Sequence, residues 1–276
     1  MSGVAPTAAS TPVLAILSAL VEERTGLHYG LLDRALLADK AGLRAAEAGF
    51  ESLLDYYYFL RYDAGAATEM DALVDALVVG ETYFFRELPP LEVLADHAEA
   101  LVSRGVRPRI WSAACASGEE PLTLAMLLDA RGLLGEIDLV ASDISPRALE
   151  RARRSRHGPR SLRDGAPPAL VERYLRREPD GAIHVRAGLA EAISWRRVNL
   201  QDPAQVAAVG PAHAVLCRNV LIYFSDETAA KVVERLADAL HPGGLLLVGI
   251  SESLLRYGTN LLCEEHGNVF LYRRQP

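Results

Sequence analysis

The chain has 276 residues with a formal net charge of −7, and half of its residues are hydrophobic. This length and composition suit one large globular domain or two modest ones. The acidic balance argues against a general nucleic-acid binder, which would carry an excess of basic residues.

Signals for metal, disulfide or membrane chemistry are missing from the sequence. The three cysteines are far apart and form no C-x-x-C pair, and no histidine lies in H-E-x-x-H, so we expect no metal site. No apolar run reaches the roughly 20 residues of a transmembrane helix. Residues 1–10 lack a basic start and are predicted to be a disordered tail. We therefore expect a cytoplasmic protein that does not insert into membranes.

Residues 11–88 are predicted to form an all-helical domain and a linker. Leu14, Leu17 and Val21 recur at helical spacing, and similar apolar stripes follow as far as Gly80. Short helices with short connections favour a small bundle.

The linker at 80–87 has the unusual sequence GETYFFRE. One interpretation makes Phe84 and Phe85 a wedge between two domains and leaves Arg86 in solvent. The other places Thr82 and Arg86 over the ligand-binding edge of the following sheet.

Residues 109–143 are predicted to form a strand, a tight loop, a helix and a second strand that ends at Asp143. The loop at 115–118 has only small side chains, and Glu119 and Glu120 lie in the first turn of the helix. A right-handed βαβ unit of this kind places the loop and the acid on one edge of a parallel sheet. That edge suits a nucleoside, with loop amides near its polar tail and a carboxylate at its ribose hydroxyls.

The loop also restricts the kind of nucleoside. It has one glycine where a dinucleotide fingerprint has three, and it lacks the lysine of a phosphate-binding loop. A ligand without phosphates fits better, and S-adenosylmethionine is the obvious one. An ordinary α/β turn without a ligand is the alternative.

An insertion is predicted at about residues 158–190, which fit neither a long helix nor a core strand. Within it, residues 183–186 alternate like a half-exposed strand after an Asp-Gly turn. Arginines are dense from Arg147 through Arg163. They form either a solvated helix face or a surface for an acidic partner.

The remaining strands, predicted at 195–200, 212–217, 245–249 and 268–273, alternate with helices. This alternation predicts an α/β fold with a mostly parallel sheet and helices on both faces. Ligands of such sheets bind at the carboxyl ends of the strands. Polar or small residues follow several of those ends, namely Ser117, Gly118, Asp143, Asn199, Arg218, Asn219, Ser251 and Glu252.

Six blocks in order resemble the chemotaxis-receptor methyltransferases, the CheR family. The similarity covers roughly residues 30–273. The blocks are GETYFFRE (80–87), SAACASGEEPLTLAM (112–126), ASDIS (141–145), VNL (198–200), CRNVLIYF (217–224) and HPGGLLLVGISESL (241–254). The resemblance implies a Rossmann-like class I S-adenosylmethionine methyltransferase domain over 89–276, with an N-terminal helical domain and a small inserted β-subdomain.

The resemblance also implies roles for individual residues. Thr82 and Arg86 match a segment beside the cofactor's reacting group, and Glu119 or Glu120 matches an acid at its methionine end. Asp143 matches the ribose-binding acid. The other matches are Asn199 and Leu200 beside the adenine, Arg218 and Asn219 after the fourth strand, and Tyr223 facing the reaction centre. With Ser117 and Gly118 of the loop, these complete the predicted cofactor site, and Arg86 and Tyr223 are the predicted catalytic residues.

One position departs from the family. Gly80 stands where many members have an asparagine, which suggests a branch that serves a non-standard chemosensory system. The inserted segment also looks short for docking on a receptor tail.

The implied reaction transfers a methyl group from S-adenosylmethionine to glutamate side chains of a chemoreceptor-type signalling protein. Its products are glutamate γ-methyl esters and S-adenosylhomocysteine, and it needs no metal. The implied partner is the acidic helical methylation segment of a receptor, with no nucleic acid involved, and we expect a monomer. The alternatives are a non-catalytic S-adenosylmethionine-binding adapter and a methyltransferase that acts on a small molecule.

Overall fold

The computed structural model describes residues 11–275, so the expected disordered tail at 1–10 lies outside it. The chain divides into two compact units. One contains the described residues up to Val79 together with Tyr223–Ser225, and the other contains Gly80–Ile222 and the chain from Asp226 onward. The second unit thus begins at Gly80, before the boundary expected at residue 89. No helix within 11–275 is both long enough and apolar enough to cross a bilayer.

The first unit is helical, as the apolar stripes predict. Leu17, Val21 and Leu37 pack with Tyr56 and Leu73 in a buried cluster between the helices. Burial of these side chains stabilises the bundle by about 1.5–3 kcal/mol each. The helices are α1 (Thr11–Thr25), α2 (Arg34–Glu47), α3 (Leu53–Tyr62) and α4 (Ala66–Leu77).

The second unit is built on a sheet of seven strands. They are β1 (Arg109–Ala113), β2 (Asp138–Asp143), β6 (Ile193–Arg197), β7 (Ala212–Leu216), β8 (Leu240–Leu247), β9 (Leu261–His266) and β10 (Val269–Arg274). Their order is β6-β2-β1-β7-β8-β10-β9. The first five are parallel, and β10 and β9 are antiparallel. This confirms the predicted α/β architecture.

The strand β9 was not predicted. It lies at the edge of the sheet, where none of its six residues is buried. Its Glu264, Glu265 and His266 give it no apolar pattern. An edge strand that is solvated on both faces therefore escapes a search for buried strands.

Helices connect the strands and pack against the sheet. They are α5 (Leu88–Val102), α6 (Glu119–Ala130), α7 (Pro146–Arg154), α8 (Pro168–Tyr174), α9 (Pro203–Val209) and α10 (Asp226–Asp238). The helix α6 is buried along nearly its whole length, since its residues from Pro121 to Leu128 are all buried. Trp111 on β1 is fully buried, and its indole N–H donates to Ser142 Oγ on β2 at 2.8 Å. These contacts fix the ends of β1 and β2, where the predicted site lies.

A small antiparallel sheet has the order β3 (Arg156–His157), β5 (Ile183–Val185) and β4 (Leu175–Arg177), so it begins just before the insertion predicted at about 158–190. The expected strand at 183–186 is confirmed as β5. Asp129 on α6 anchors this subdomain, because its carboxylate accepts hydrogen bonds from Tyr174 at 2.7 Å and Arg186 at 2.8 Å.

Candidate active site

The polar residues predicted at the strand ends come together along one edge of the sheet. Gly118 follows β1, Asp143 ends β2, Asn199 follows β6, and Arg218 with Asn219 follows β7. These four strands are adjacent and parallel, so their carboxyl ends share that edge.

The loop after β1 packs so tightly that only glycine fits at position 118. Gly118 has φ +92°, and a Cβ there would lie 2.7 Å from Ala152 Cβ and 2.9 Å from the Trp195 ring. Ala114 and Ala116 also have positive φ, which curls the loop back over the end of the sheet. The glycine therefore serves close packing of the loop against α7 and β6.

Replacing Gly118 with alanine is expected to lower the free energy of unfolding by about 2 kcal/mol or more. The left-handed backbone alone costs about 1–2 kcal/mol with a Cβ, and the contacts with Ala152 and Trp195 add to this. Gly132→Ala is the matched control, since Gly132 has φ +72° and open space around it. Urea denaturation should show a smaller loss for the control, and equal losses would contradict the packing argument.

Asp143 ties the two loops of the βαβ unit together. Its Oδ2 accepts the Ala116 N–H at 2.8 Å, and its Oδ1 accepts the Ser145 N–H at 2.9 Å. A carboxylate accepts hydrogen bonds from hydroxyl groups as well as from backbone N–H groups. The position predicted for ribose binding therefore has the chemistry that the role requires.

Glu119 and Glu120 have different environments. Glu119 is buried, its Oε1 accepts the Ser161 hydroxyl at 2.8 Å, and the same oxygen lies 3.0 Å from His157 Nδ1. Its Oε2 accepts the Ser117 hydroxyl at 2.8 Å. Burial alone would raise the pKa of the Glu119 carboxyl, but hydrogen bonding and charge from His157, with the two serine hydroxyls, outweigh it and lower that pKa.

The lowered pKa predicts a pH dependence of stability. Because the folded-state pKa of Glu119 lies below its unfolded value of about 4.3, its contribution is present above about pH 5 and is lost as the pH falls through the folded value. The advantage of the wild type over Glu119→Gln in free energy of unfolding should shrink over that range.

Urea titrations between pH 7 and pH 3 measure this difference. Glu265→Gln is the control, because Glu265 is an exposed residue of β9, and it should stay within about 0.5 kcal/mol of the wild type at each pH. A gap between wild type and Glu119→Gln that does not change with pH would contradict the assignment.

Arg218 is buried and donates hydrogen bonds to the segment that contains Arg86. Its Nη1 donates to Glu120 at 2.9 Å, and its Nη2 donates to the Glu87 carboxylate at 2.8 Å and to the Arg86 carbonyl at 2.9 Å. Burial opposes the charge, but Glu120 and Glu87 outweigh it and raise the pKa of the Arg218 guanidinium. The arginine therefore fixes the 82–87 turn to the end of β7.

That turn presents the Arg86 side chain from a rigid backbone. Phe85 and Glu87 on either side of it both have positive φ. Its Nη1 donates to the Glu81 carbonyl at 3.0 Å, and the side chain is 29% exposed. Phe84 and Phe85 are buried in the core of the second unit. Phe84 and Phe85 thus pack within this unit and not as the expected wedge between two domains, and the place of Thr82 and Arg86 over the ligand-binding edge stays a prediction.

Three other predicted residues have the following surroundings. Asn199 caps a turn, with its Oδ1 accepting the Gln201 N–H at 3.0 Å, and Leu200 beside it is buried. Tyr223 belongs to the helical unit, where its carbonyl accepts the His28 N–H at 2.8 Å. Its predicted place at the reaction centre stays a prediction.

Glu252 was noted at a strand end, but the sequence indicated no role for it. Its carboxylate accepts three backbone N–H groups, from Asn219 at 2.7 Å, Leu221 at 2.8 Å and Gly249 at 2.7 Å. These bonds hold the loops after β7 and β8, including the positive φ of Asn219. Glu252 is thus a positioning residue for the predicted Asn219 site.

His157, Ser161 and Glu87 were also missed. His157 lies just before the irregular-looking inserted segment and Ser161 lies within it, and no local pattern connects them to Glu119. The ion pair of Glu87 with Arg218 could not be predicted, because the two residues are distant in sequence. Only their contacts across the fold reveal them.

A cleft of about 420 Å³ lies next to the loop after β1. Thr82, Ser117 and Glu119 line it, together with the start of the inserted segment. Of the two predicted acids, the structure brings only Glu119 to this cleft, since the Glu120 carboxylate is held by Arg218 and Ser112. Among residues 11–275, no group of three or more histidine, cysteine or acidic side chains is placed to hold a metal ion.

Comparison with known proteins gives the chain its family. Residues 80–266 match the family described as "CheR methyltransferase, SAM binding domain". Chemotaxis protein methyltransferase 2 of Vibrio cholerae is 32% identical over 240 residues, which cover 85% of this chain and 83% of that protein.

Two further relatives agree. Chemotaxis protein methyltransferase 1 of Pseudomonas aeruginosa is 32% identical over 243 residues, covering 85% of this chain and 87% of its own length. The chemotaxis protein methyltransferase of Vibrio parahaemolyticus is 39% identical over 189 residues, or 66% of this chain and 68% of its own. The chain therefore belongs to the CheR family and is an S-adenosylmethionine-dependent methyltransferase.

Proposed function

We propose that the protein methylates glutamate side chains of a chemoreceptor-type signalling protein. The products are glutamate γ-methyl esters and S-adenosylhomocysteine. One observation carries the proposal: Arg218 fastens the backbone of Arg86 to the strand edge where Asp143 and Asn219 lie. A permanently charged group is thereby held at the ligand-binding edge of the sheet. The relatives named as chemotaxis protein methyltransferases support the same acceptor class.

The residues at the edge fit S-adenosylmethionine. Gly118 lets the loop lie close to the sheet end, and the Asp143 carboxylate at the end of β2 is an acceptor that suits ribose hydroxyls. We assign the methionine end to Glu119, because that carboxylate lines the cleft. The remaining cofactor residues in this proposal are Thr82, Arg86, Ser117, Asn199, Leu200 and Asn219.

Arg218 and Glu120 have a supporting role in this proposal. Their charges are paired with each other and with Glu87, so neither is free to hold the cofactor. They position the turn that carries Arg86. The resemblance placed both residues at the cofactor, and their pairing favours a place directly behind it.

When bound, S-adenosylmethionine supplies a methyl group activated by its sulfonium. A glutamate side chain has a pKa of about 4.3, so it is already a nucleophilic carboxylate near neutral pH. No general base is needed, and the chain's contribution is to position the acceptor and replace its water with fixed donors. Arg86 is the proposed donor because its guanidinium keeps its charge at any working pH. Tyr223 is the second proposed donor.

The proposed acceptor is an acidic helical segment of a receptor, and the proposed setting is the cytoplasm, with the enzyme as a monomer. An enzyme with a net charge of −7 needs local basic surface to attract such a segment. The net charge also argues against a nucleic-acid acceptor.

The test is transfer of labelled methyl from S-adenosylmethionine to cytoplasmic fragments of chemoreceptors from the same genome. We expect label that mild alkali releases as volatile methanol, which is diagnostic of a methyl ester. Label that survives alkali would place the methyl group on another atom and overturn the glutamate assignment. If calorimetry shows binding of S-adenosylmethionine but no fragment accepts the methyl group, the result favours the non-catalytic S-adenosylmethionine-binding adapter.

A further inference from the structure

The cleft beside the loop after β1 has a cationic wall. Arginines from α7, from β3 and from the segment that follows β3 converge on it. The charged residues that line the cleft are Arg151, Arg156, Arg160, Arg163, Glu81 and Glu119.

Two of the four arginines are already paired. Arg163 donates to Glu81 at 2.8 Å and stacks 3.8 Å above the centre of the Tyr83 ring. Arg156 donates to Glu178 at 2.9 Å and also to Asp180. These arginines shape the wall, and their charges are largely compensated.

Arg151 and Arg160 are the uncompensated pair. Both are exposed, and neither side chain has a hydrogen bond or ion pair with any residue of the described part of the chain. A Cβ at Gly80 would lie 4.0 Å from Arg151 Nη2, so the absence of a side chain at position 80 leaves the guanidinium open to the cleft. The cleft therefore offers two free, forked donors on one wall.

Arg151 and Arg160 could face either the cofactor or an acidic acceptor, and the net charges of these two ligands distinguish them. S-adenosylmethionine carries a carboxylate, an ammonium and a sulfonium, which sum to one positive charge. Glu119 in the same cleft can pair with the ammonium of the cofactor, whereas the two free arginines attract a chain with several carboxylates. Arginine also binds carboxylate oxygens in a bidentate manner that suits glutamate.

We propose that Arg151 and Arg160 form a subsite for carboxylates that flank the methylated glutamate of the acceptor. The proposal deepens the proposed function, on which it rests for the acidic acceptor. Both arginines belong to the second unit. They would bind acidic residues of the acceptor that neighbour the reacting glutamate, and this would bring that glutamate toward the part of the cleft where Glu119 holds the cofactor.

The probe is octaglutamate labelled with fluorescein, titrated against the full chain with saturating S-adenosylhomocysteine. Fluorescence anisotropy should show binding that weakens with salt. The double variant Arg151→Ala/Arg160→Ala should raise the Kd at least about tenfold. The double lysine variant, which keeps both charges, should recover part of the affinity. Arg147→Ala, an exposed arginine of α7 outside the cleft, should change the Kd less than about twofold.

Calorimetry with S-adenosylhomocysteine alone completes the test, and its Kd should stay within about twofold in the double alanine variant. The proposal is overturned if the wild type does not bind octaglutamate, or if Arg147→Ala weakens binding as much as the double variant. It is equally overturned if the double variant loses S-adenosylhomocysteine instead, since the arginines would then hold the cofactor. None of these readouts requires methyl transfer, so this proposal and the proposed function fail separately.

Discussion

Arg86→Ala is expected to lower kcat by about 100-fold or more while the Kd of S-adenosylhomocysteine changes less than about threefold. Losing one positioned donor at a reacting group typically costs about 10²–10³ in rate. In this proposal Arg86 positions the acceptor carboxylate. Its removal should therefore reduce stabilisation of the transition state and leave the affinity for the cofactor nearly unchanged.

The rigidity of the 82–87 turn explains why the effect should be large. The Phe84 N–H donates to the Ser161 carbonyl at 2.8 Å, and the Phe85 N–H donates to Thr123 Oγ1 at 3.1 Å. Arg218 holds the carbonyl of Arg86 itself. Three hydrogen bonds therefore hold the backbone from Phe84 to Arg86. The direction of the Arg86 side chain depends on this backbone and on the core against which it packs.

Single-turnover methylation and calorimetry separate the two effects of Arg86→Ala. Arg131→Ala is the matched control, since Arg131 is a surface arginine paired with Asp96 and Glu99. That control should leave kcat within about twofold of the wild type. Equal losses of kcat and cofactor affinity in Arg86→Ala would instead assign Arg86 to holding the cofactor.

Arg218→Met is expected to lower the free energy of unfolding by about 3–5 kcal/mol, which is the usual cost of removing one member of a buried ion pair. Its side chain is 2% exposed, and those of Glu87 and Glu120 are 16% and 15% exposed. Methionine would leave the Glu120 carboxylate without its counter-charge in a poorly solvated position, and Glu87 would keep only Arg86, whose Nε lies 4.0 Å away.

Two further variants test the cause of this loss. Adding Glu87→Gln and Glu120→Gln to Arg218→Met should recover part of the stability, because no unpaired charge then remains. Arg131→Met breaks only surface pairs and should cost less than about 1 kcal/mol. Urea denaturation measures all three. If Arg218→Met costs no more than Arg131→Met, Arg218 does not clamp the turn.

Much of the fold could be predicted from local patterns. The alternation of apolar strands with helices predicted the parallel core of the sheet, and small loop residues before an acidic helix start predicted the βαβ unit. The positions of Asp143 and Gly118 at strand ends could be predicted, because each directly ends or closely follows an apolar strand. The strand β9 was missed because its six residues are not buried.

The arrangement of the site was harder to predict. The Glu252 carboxylate accepts hydrogen bonds from three backbone N–H groups of two loops. No spacing of residues in the sequence predicts that these groups lie together. His157 and Ser161 reach Glu119 from 38 and 42 residues away. Contacts of this kind depend on how the inserted segment folds back onto α6.

By itself, the sequence determined the alternation of strands and helices in the parallel part of the sheet, the strand ends at which polar residues lie, and the family. These properties follow from periodicity and turn chemistry, which act over a few residues. Only the tertiary structure decided that Glu119 lines the cleft while Glu120 pairs with Arg218. Adjacent residues on a helix point about 100° apart, and what each one meets depends on segments that packing brings there from elsewhere in the chain.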